Sequence, residues 1–238
     1  MGAALLAVLV VALAGPAIAQ EVSIDFGDGS SLATRSVQLL LLVTVLSIVP
    51  GLAVMITCFP FIVTVLSILR QAIGLQQAPP NMLIVSLALF LTWFVMDPVL
   101  TEAWTKGVEP LSSGLLDVQS AIPLILAPFR LFMSARLDPD TFAALQALRP
   151  EAATALADAP LSVLVPSFIL SEIQRAFEIG FLIFLPFLVI DLVVAAVLMS
   201  MGMMMVPPAV VALPFKLAFF VVADGWTLIS GALVRSYF

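Results

Sequence analysis

Charged residues in apolar surroundings are the side chains of this sequence most able to do chemistry. Three of them recur at every third position where a long apolar stretch begins, namely Glu172, Arg175 and Glu178. On a helix this spacing places them on one broad face, where they can form ion pairs. Three others lie singly inside apolar stretches, namely Asp191, Lys216 and Asp224.

A charged group at membrane depth is costly and usually faces a partner or a water-filled path. Two chemistries are therefore open for these residues. They carry protons or ions, as in a transporter, or they form buried pairs that fix the register of packed helices. The chain has no histidine, and it shows neither a repeated mid-span carboxylate relay nor inverted repeats of the transporter kind. The pattern therefore favours buried pairs.

Methionines form the second unusual group. Five of the ten fall within seven residues, namely Met199, Met201, Met203, Met204 and Met205. They surround Gly202, and Pro207 and Pro208 follow after Val206, so the group lies at a break between two apolar segments. Methionine is flexible and polarizable, and it can fill irregular gaps. Two interpretations are open. The methionines form a surface that closes around another molecule and then opens, or they simply fill a helix–helix junction.

Composition excludes several classes of protein. The chain has 238 residues, of which 63% are hydrophobic and 10% are charged, and its mean hydropathy is +1.23. This surplus of apolar surface requires lipid or many partner subunits. Nucleic-acid binding is not expected, because the net charge is −6 and basic residues are not clustered. With no histidine and a single cysteine, Cys58, no metal site or cofactor is expected.

The search for catalytic groups also predicts that the protein is not an enzyme. The sequence contains no histidine for an acid–base pair and no glycine-rich phosphate loop. Serine is not set in a nucleophile elbow, and no carboxylate pair is placed for hydrolysis. Any energy for transport is therefore expected to come from other proteins.

The first residues predict a signal peptide. Residues 3–14 are apolar, Gly15-Pro16 ends the run, and Ala17-Ile18-Ala19 forms a small-x-small cleavage site. Residues 1–19 are therefore assigned to the signal peptide, although an uncleaved first helix is the alternative. Residues 20–36 form a polar exported lead-in, which places the mature N-terminus outside the cytoplasm.

The rest of the chain predicts an all-α membrane protein of about four long, kinked apolar helices plus short amphipathic ones. Residues 37–97 form a first helical hairpin that turns at residues 70–81 and is interrupted by prolines. Residues 98–161 are more polar and extracytoplasmic, with a helix start at Asp138-Pro139. Residues 162–238 form a second hairpin that turns at the methionines. Broken helices at membrane depth survive where protein or water surrounds them, so many of these helices are expected to pack on other protein.

Several stretches together carry a family likeness. They are VLSILRQAIGLQQAPPN at residues 65–81, LALFLTWFVMDPV at 87–99, PFRLFM at 128–133 and the long run from Ser171 to Trp226 that begins SEIQRAFEIGF. These stretches resemble the FliP family of flagellar biosynthetic proteins and its injectisome counterparts, which are membrane components of type III secretion export gates. The predicted cleaved signal peptide makes the chain resemble the flagellar branch more than the injectisome branch, which typically lacks one.

The resemblance implies a function and an assembly. It implies five copies that join FliQ-type and FliR-type subunits in a cone of hairpins around a conduit for unfolded flagellar subunits. FlhB-type and FlhA-type export components, and lipid, are the other implied partners. The implied location is the flagellar basal body in the bacterial inner membrane, with several membrane passes and a periplasmic N-terminus.

The resemblance also implies roles for particular residues. A ring of methionines that constricts the conduit falls on Met203, Met204 and Met205, and the surrounding turn supports it. The paired charges of the family match Glu172 and Lys216, with bonds between neighbouring copies. An injectisome gate subunit is the alternative within the same class. An ion-coupled secondary transporter, which would depend on Asp191 or Asp224, is the alternative from another class.

Overall fold

The computed structural model describes four stretches of the chain, residues 32–75, 78–149, 155–203 and 205–238. The predicted signal peptide, residues 1–19, lies outside the described residues, as do residues 20–31 of the polar lead-in. Met204 and the two glutamines of the first hairpin turn, Gln76 and Gln77, lie outside them as well.

The described residues form helices and turns without a β-strand, which confirms the all-α prediction for this part of the chain. In chain order the α-helices are α1 (Leu32–Met55), α2 (Phe59–Ile73), α3 (Asn81–Ala103), α4 (Glu109–Ser112), α5 (Val118–Arg136), α6 (Pro139–Ala147), α7 (Leu161–Ser200), α8 (Pro208–Val222) and α9 (Gly225–Arg235). A π-helical turn, Trp104–Val108, joins α3 to α4, and a 3₁₀ turn, Leu156–Asp158, precedes α7.

Four helical segments among the described residues are long and apolar enough to cross a membrane, and the bent pair α8–α9 makes a fifth if it is one span. The four are Ser36–Met55, Asn81–Ser112, Val118–Arg136 and Leu161–Ser200. This set confirms the prediction of four long apolar helices. It differs in one member, because α5 was expected to be part of a polar region of short amphipathic helices.

The described chain divides into two units at residues 48 and 49. The described part of the first unit is the N-terminal part of α1, whose apolar side chains, such as Leu40 and Leu46, are exposed. The second unit contains the rest of the chain and both hydrophobic cores.

The first hairpin turns within the predicted residues. Gly74 ends α2 in the left-handed conformation with φ 89°, and its N–H donates to the Gln71 carbonyl at 3.0 Å. Across the turn, an Arg70 Nη1 donates to Asn81 Oδ1. Pro60 lies in the first turn of α2, where a missing N–H is tolerated. The predicted interruption of the apolar run is therefore present before Pro60, whereas Pro50 lies inside α1 without ending it.

Helix α3 is longer than the sequence suggested. The first hairpin was expected to end at Asp97, yet the helix continues to Ala103 and then passes into the π-helical turn. The buried face of α3 continues past the proline, since Ala103 is buried like Val95 and Met96. Packing along this face outweighs the one backbone hydrogen bond that Pro98 removes.

Helix α6 begins where Asp138-Pro139 predicted. The Asp138 carboxylate accepts a hydrogen bond of 2.8 Å from the Thr141 backbone N–H, as an N-cap residue does. This bond, then one from the Thr141 hydroxyl, lowers the pKa of Asp138 below its usual value. The same residue ties α6 to α7, because the Asp138 N–H donates to Ser171 Oγ at 2.9 Å.

Helix α7 has 40 residues and contains Pro166 and Pro186 without a break. At 1.5 Å per residue it is about 60 Å long, twice the roughly 30 Å thickness of a hydrocarbon core. Helices α8 and α9 follow the methionine turn and meet at an angle of 61°. The second hairpin thus has one continuous arm and one bent arm.

Two hydrophobic cores hold the second unit together, and α7 contributes to both. The first combines α2, α3, the middle of α7 and the last two helices, with members that include Phe61, Leu69, Ile84, Met96, Ala176, Phe187, Phe220 and Leu233. The second combines α5, α6 and the start of α7, with Met133, Phe142, Leu164 and Phe168. These cores fix the helices that position the ion pairs described below.

Gly107 marks a close crossing of the π-helical turn and α5. A Cβ added there would overlap the Ile125 side chain and lie 3.0 Å from the Ile125 backbone nitrogen, which cannot move independently of α5. Replacing Gly107 with Ala should therefore lower the free energy of unfolding by about 1–3 kcal/mol, measured by thermal or denaturant unfolding in detergent. Gly51→Ala is the control, since nothing lies within 4 Å of its added Cβ. Equal stability of the two variants would contradict this account of the crossing.

Candidate functional site

The methionine turn between α7 and α8 has a defined backbone. Gly202 is left-handed with φ 75°, its N–H donates to the Met199 carbonyl at 3.0 Å, and the Met203 N–H donates to the Leu198 carbonyl at 2.9 Å. These two bonds form a Schellman motif, in which a left-handed glycine ends the helix and satisfies its last carbonyls. Pro207 then precedes α8 and Pro208 is its first residue, where proline fits the first helical turn.

The side chains of this turn are exposed on that fixed backbone. Met199 and Met201 are exposed, as is Met203, and Met205 is 98% exposed. The turn therefore displays flexible apolar side chains away from the protein's own cores. The sequence had left a junction-filling role open, and none of these four side chains is buried within the described chain.

An apolar recess of about 600 Å³ opens between α7 and α8 beside this turn. Its lining is Val189, Ile190, Val193, Val194, Val197, Leu198, Met201, Met203, Val211 and Phe215. Two of the turn's methionines thus belong to a larger apolar surface on the inner side of the second hairpin.

Lys216 forms the first of two buried ion pairs. Its Nζ lies 2.6 Å from Asp191 Oδ2 and donates a second hydrogen bond, of 3.1 Å, to the Ala72 carbonyl near the end of α2. Lys216 is only 6% exposed, whereas the Asp191 side chain is 33% exposed. This contact joins three helices, α2, α7 and α8, through one ammonium group. It supports the interpretation that these charges fix helix register.

Glu172 forms the second buried pair, with a residue that the sequence analysis did not select. Its side chain is fully buried, and Oε1 accepts a hydrogen bond of 3.1 Å from Arg136 Nε, at the end of α5. The Tyr237 hydroxyl donates to Glu172 Oε2. The Arg136 guanidinium lies over the Tyr237 ring at 4.0 Å, and its Nη1 donates to the Ser236 carbonyl at 2.8 Å.

The tyrosine of this cluster is a donor for a physical reason. Burial, followed by the negative charge of Glu172, raises the pKa of Tyr237 above its usual value. A tyrosine already carries its proton at neutral pH, and the raised pKa keeps the phenol a donor to the carboxylate in more alkaline solution as well. Arg136, Glu172 and Tyr237 together link α5, α7 and the end of the chain.

Glu172 and Lys216 each have a charged partner within the chain. The family resemblance implied that both bond between neighbouring copies. Within the chain each is already paired, Glu172 with Arg136 and Lys216 with Asp191. Contacts of either residue with a second copy stay a prediction.

The other charged residues of the sequence analysis take different places. Glu178 is exposed and accepts from Gln174 at 3.2 Å, and Arg175 is half-buried and acts electrostatically on Asp138. The sequence predicted that Glu172, Arg175 and Glu178 can form ion pairs with one another. In the described structure none of these contacts is such a pair, so that prediction is wrong. Asp224 is exposed and left-handed at the bend between α8 and α9.

Two buried polar atoms of the ion pairs lack a hydrogen-bond partner within the part of the chain that the structure describes. They are Arg136 Nη2 and Asp191 Oδ1. Buried polar groups are almost always satisfied in native proteins, so water or another chain is expected to meet them. The described residues include no group of three or more His, Cys, Asp or Glu side chains that could hold a metal ion.

Sequence reasoning missed Arg136 and Tyr237 for different reasons. Arg136 lies within residues 98–161, which were expected to be more polar, and a charge in a polar segment does not indicate a buried partner. Tyr237 is the single tyrosine of the chain, and its position two residues past α9 gave no pattern to follow. Their partner, Glu172, is distant from both in the sequence.

Comparison with known proteins identifies the family. A model of the FliP family matches residues 42–233. The flagellar biosynthetic protein FliP of Caulobacter vibrioides is 51% identical over 224 residues, which cover 93% of this chain and 84% of that protein. The proteins of the same name from Agrobacterium fabrum and Rhizobium meliloti are 47% and 45% identical, each over 96% of its own length and over 96% and 97% of this chain. With this breadth of match, and with an all-helical fold rich in candidate membrane spans, the chain belongs to the FliP family.

Proposed function

We propose that this protein is a pore-forming subunit of the flagellar type III protein export gate. Its relatives are named as flagellar biosynthetic proteins, and the sequence resemblance implies a conduit for unfolded flagellar subunits. The protein then acts as a passage and not as an enzyme. The location is the flagellar basal body in the bacterial inner membrane, with the mature N-terminus on the periplasmic side.

The length of α7 supports assembly with other chains. A bilayer covers about half of its roughly 60 Å. Large apolar side chains are exposed along much of the helix, including Leu170, Phe177, Phe181, Leu188, Leu192 and Val197. Those outside the hydrocarbon need protein as their neighbour, because contiguous exposed apolar surface marks an interaction site. Five copies, together with FliQ-type and FliR-type subunits, supply such neighbours, and FlhB-type and FlhA-type components complete the machinery.

The observation that carries the proposal is the exposure of the methionines on a fixed turn. Met201, Met203 and Met205 project from a backbone that Gly202 and the prolines hold in place. Repeated around a ring, such side chains form an apolar constriction. Flexible thioethers adapt to chemically varied chains in transit, and a narrow apolar constriction blocks ions by dewetting when it is empty.

The buried pairing of Asp191 with Lys216 favours this role over ion-coupled transport. A carboxylate that carries ions must exchange its partner during the cycle, whereas Lys216 is buried and also bonded to the Ala72 carbonyl. The pair therefore serves to hold α2, α7 and α8 together.

A triple substitution tests the constriction. Replacing Met203, Met204 and Met205 together with Ala should make the gate leak small ions while the complex still assembles, since the turn's backbone depends on Gly202 and the prolines. Conductance of the reconstituted complex, or growth of cells under salt stress, measures the leak. Native gels measure assembly.

The matched control is Met82→Ala, which removes a methionine that is 80% exposed on α3. It should leave conductance at the wild-type level. An assembled triple variant whose conductance equals that of this control would refute the methionine constriction. A complex without a central passage would refute the pore function itself.

A further inference from the structure

The junction between α8 and α9 has the geometry of a hinge. The two helices meet at 61°, and the residue at the junction, Asp224, is left-handed with φ 48° and ψ 49°. It is the one non-glycine residue with a positive φ among the described residues. Left-handed backbone is costly for residues other than glycine, although Asp is among those that tolerate it best. The bend therefore persists because contacts elsewhere hold α9 in place.

Several of those contacts lie just past the far end of α9. The Ser236 carbonyl accepts from Arg136 Nη1 at 2.8 Å, and the Tyr237 hydroxyl donates to Glu172 Oε2. The Tyr237 ring also packs beneath the Arg136 guanidinium and against Phe61, whose ring centroid is 5.6 Å away. We call Arg136, Glu172, Ser236 and Tyr237 the clasp.

Between the hinge and the clasp, α9 itself has a narrow packed face. Gly225, Ile229 and Leu233 are buried, whereas most of its other side chains are exposed or half-buried. This amounts to one buried residue per helical turn. The clasp thus holds a helix whose own apolar anchoring is limited.

We propose that α9 is a hinged arm that exchanges between a docked and a released state, with its bend at Ala223–Asp224 and its docked state held by the clasp. Release would uncover the part of α3 against which the arm rests. There, Leu83, Ile84 and Leu87 line an apolar recess of about 260 Å³ together with Pro79 and Trp226 of the arm. This inference does not rest on the proposed export function.

Hydrogen exchange of the full-length protein in detergent tests the arm. Tyr237→Phe keeps the ring and its stacking but removes the donor to Glu172. A hydrogen bond to a buried charged group is strong enough that its loss should speed amide exchange in residues 225–235 by about tenfold or more. Exchange in α2 should stay at the wild-type rate, because α2 has eight buried residues whereas α9 has three.

The control is Phe238→Ala, which changes the neighbouring residue, 78% exposed and outside the clasp. It should leave exchange in α9 unchanged. Three results would overturn the proposal: unchanged exchange in α9 of Tyr237→Phe, an equal rise in α2 and α9, or a Tyr237→Phe chain that fails to fold. The last two would make Tyr237 a member of the global core and not of a local clasp.

Discussion

Replacing Arg136 with Met is expected to lower the free energy of unfolding by about 3–5 kcal/mol. This is the largest loss of stability that the structure predicts for a single substitution. Glu172 is fully buried and accepts from Arg136 and Tyr237. Without the guanidinium, a carboxylate stays in an apolar core with one neutral donor. The substitution also removes the bond to the Ser236 carbonyl and the stacking on Tyr237.

Denaturant unfolding in detergent, monitored by circular dichroism, measures this loss. The double variant Arg136→Met with Glu172→Gln is the informative comparison, because it removes the uncompensated charge along with its partner. It should recover part of the lost stability. An Arg136→Met protein as stable as wild type would show that this pair does not support the fold.

Replacing Lys216 with Met is expected to cost about 3 kcal/mol, the lower end of the range for breaking a buried pair. Lys216 is buried, so its loss leaves Asp191 and the Ala72 carbonyl without their shared donor. The Asp191 side chain is 33% exposed, so water partly solvates its charge and limits the loss in free energy of unfolding. The junction of α2, α7 and α8 should loosen first.

The same substitution at an exposed pair provides the matched control. Lys106 pairs with Glu102 on the surface, where the two side chains are 62% and 41% exposed. Lys106→Met should change the free energy of unfolding by less than about 1 kcal/mol, as for most surface pairs. Comparable losses from the two lysine variants would mean that burial does not decide the contribution of these pairs.

The features that sequence could predict are those with local causes. Asp138-Pro139 starts a helix because the capping carboxylate, the proline and the Thr141 N–H that donates to the cap lie within four residues. Gly202 among the methionines ends α7 for the same reason, since both hydrogen bonds of its Schellman motif span only a few residues. The all-helical class followed from long apolar runs that prolines interrupt.

The features that sequence missed depend on packing between distant segments. Helix α3 continues past Pro98 because its face is buried by other helices, which local propensity does not reveal. The partner of Glu172 could not be read from spacing, since Arg136 is 36 residues away and Tyr237 is 65 residues away. A charged residue in an apolar stretch predicts that a partner is needed, whereas the fold determines which residue that partner is.

The unbroken length of α7 has a mechanical consequence. Its first half is set in both cores through Leu164, Phe168 and Ala176, whereas buried residues become sparse toward Ser200. Such a rod acts as a lever with its fulcrum in the packed half. A tilt of about 5° about the middle of the roughly 60 Å helix would displace its end by about 3 Å. A small rearrangement around α5 and α6 would therefore be enlarged at the methionine turn.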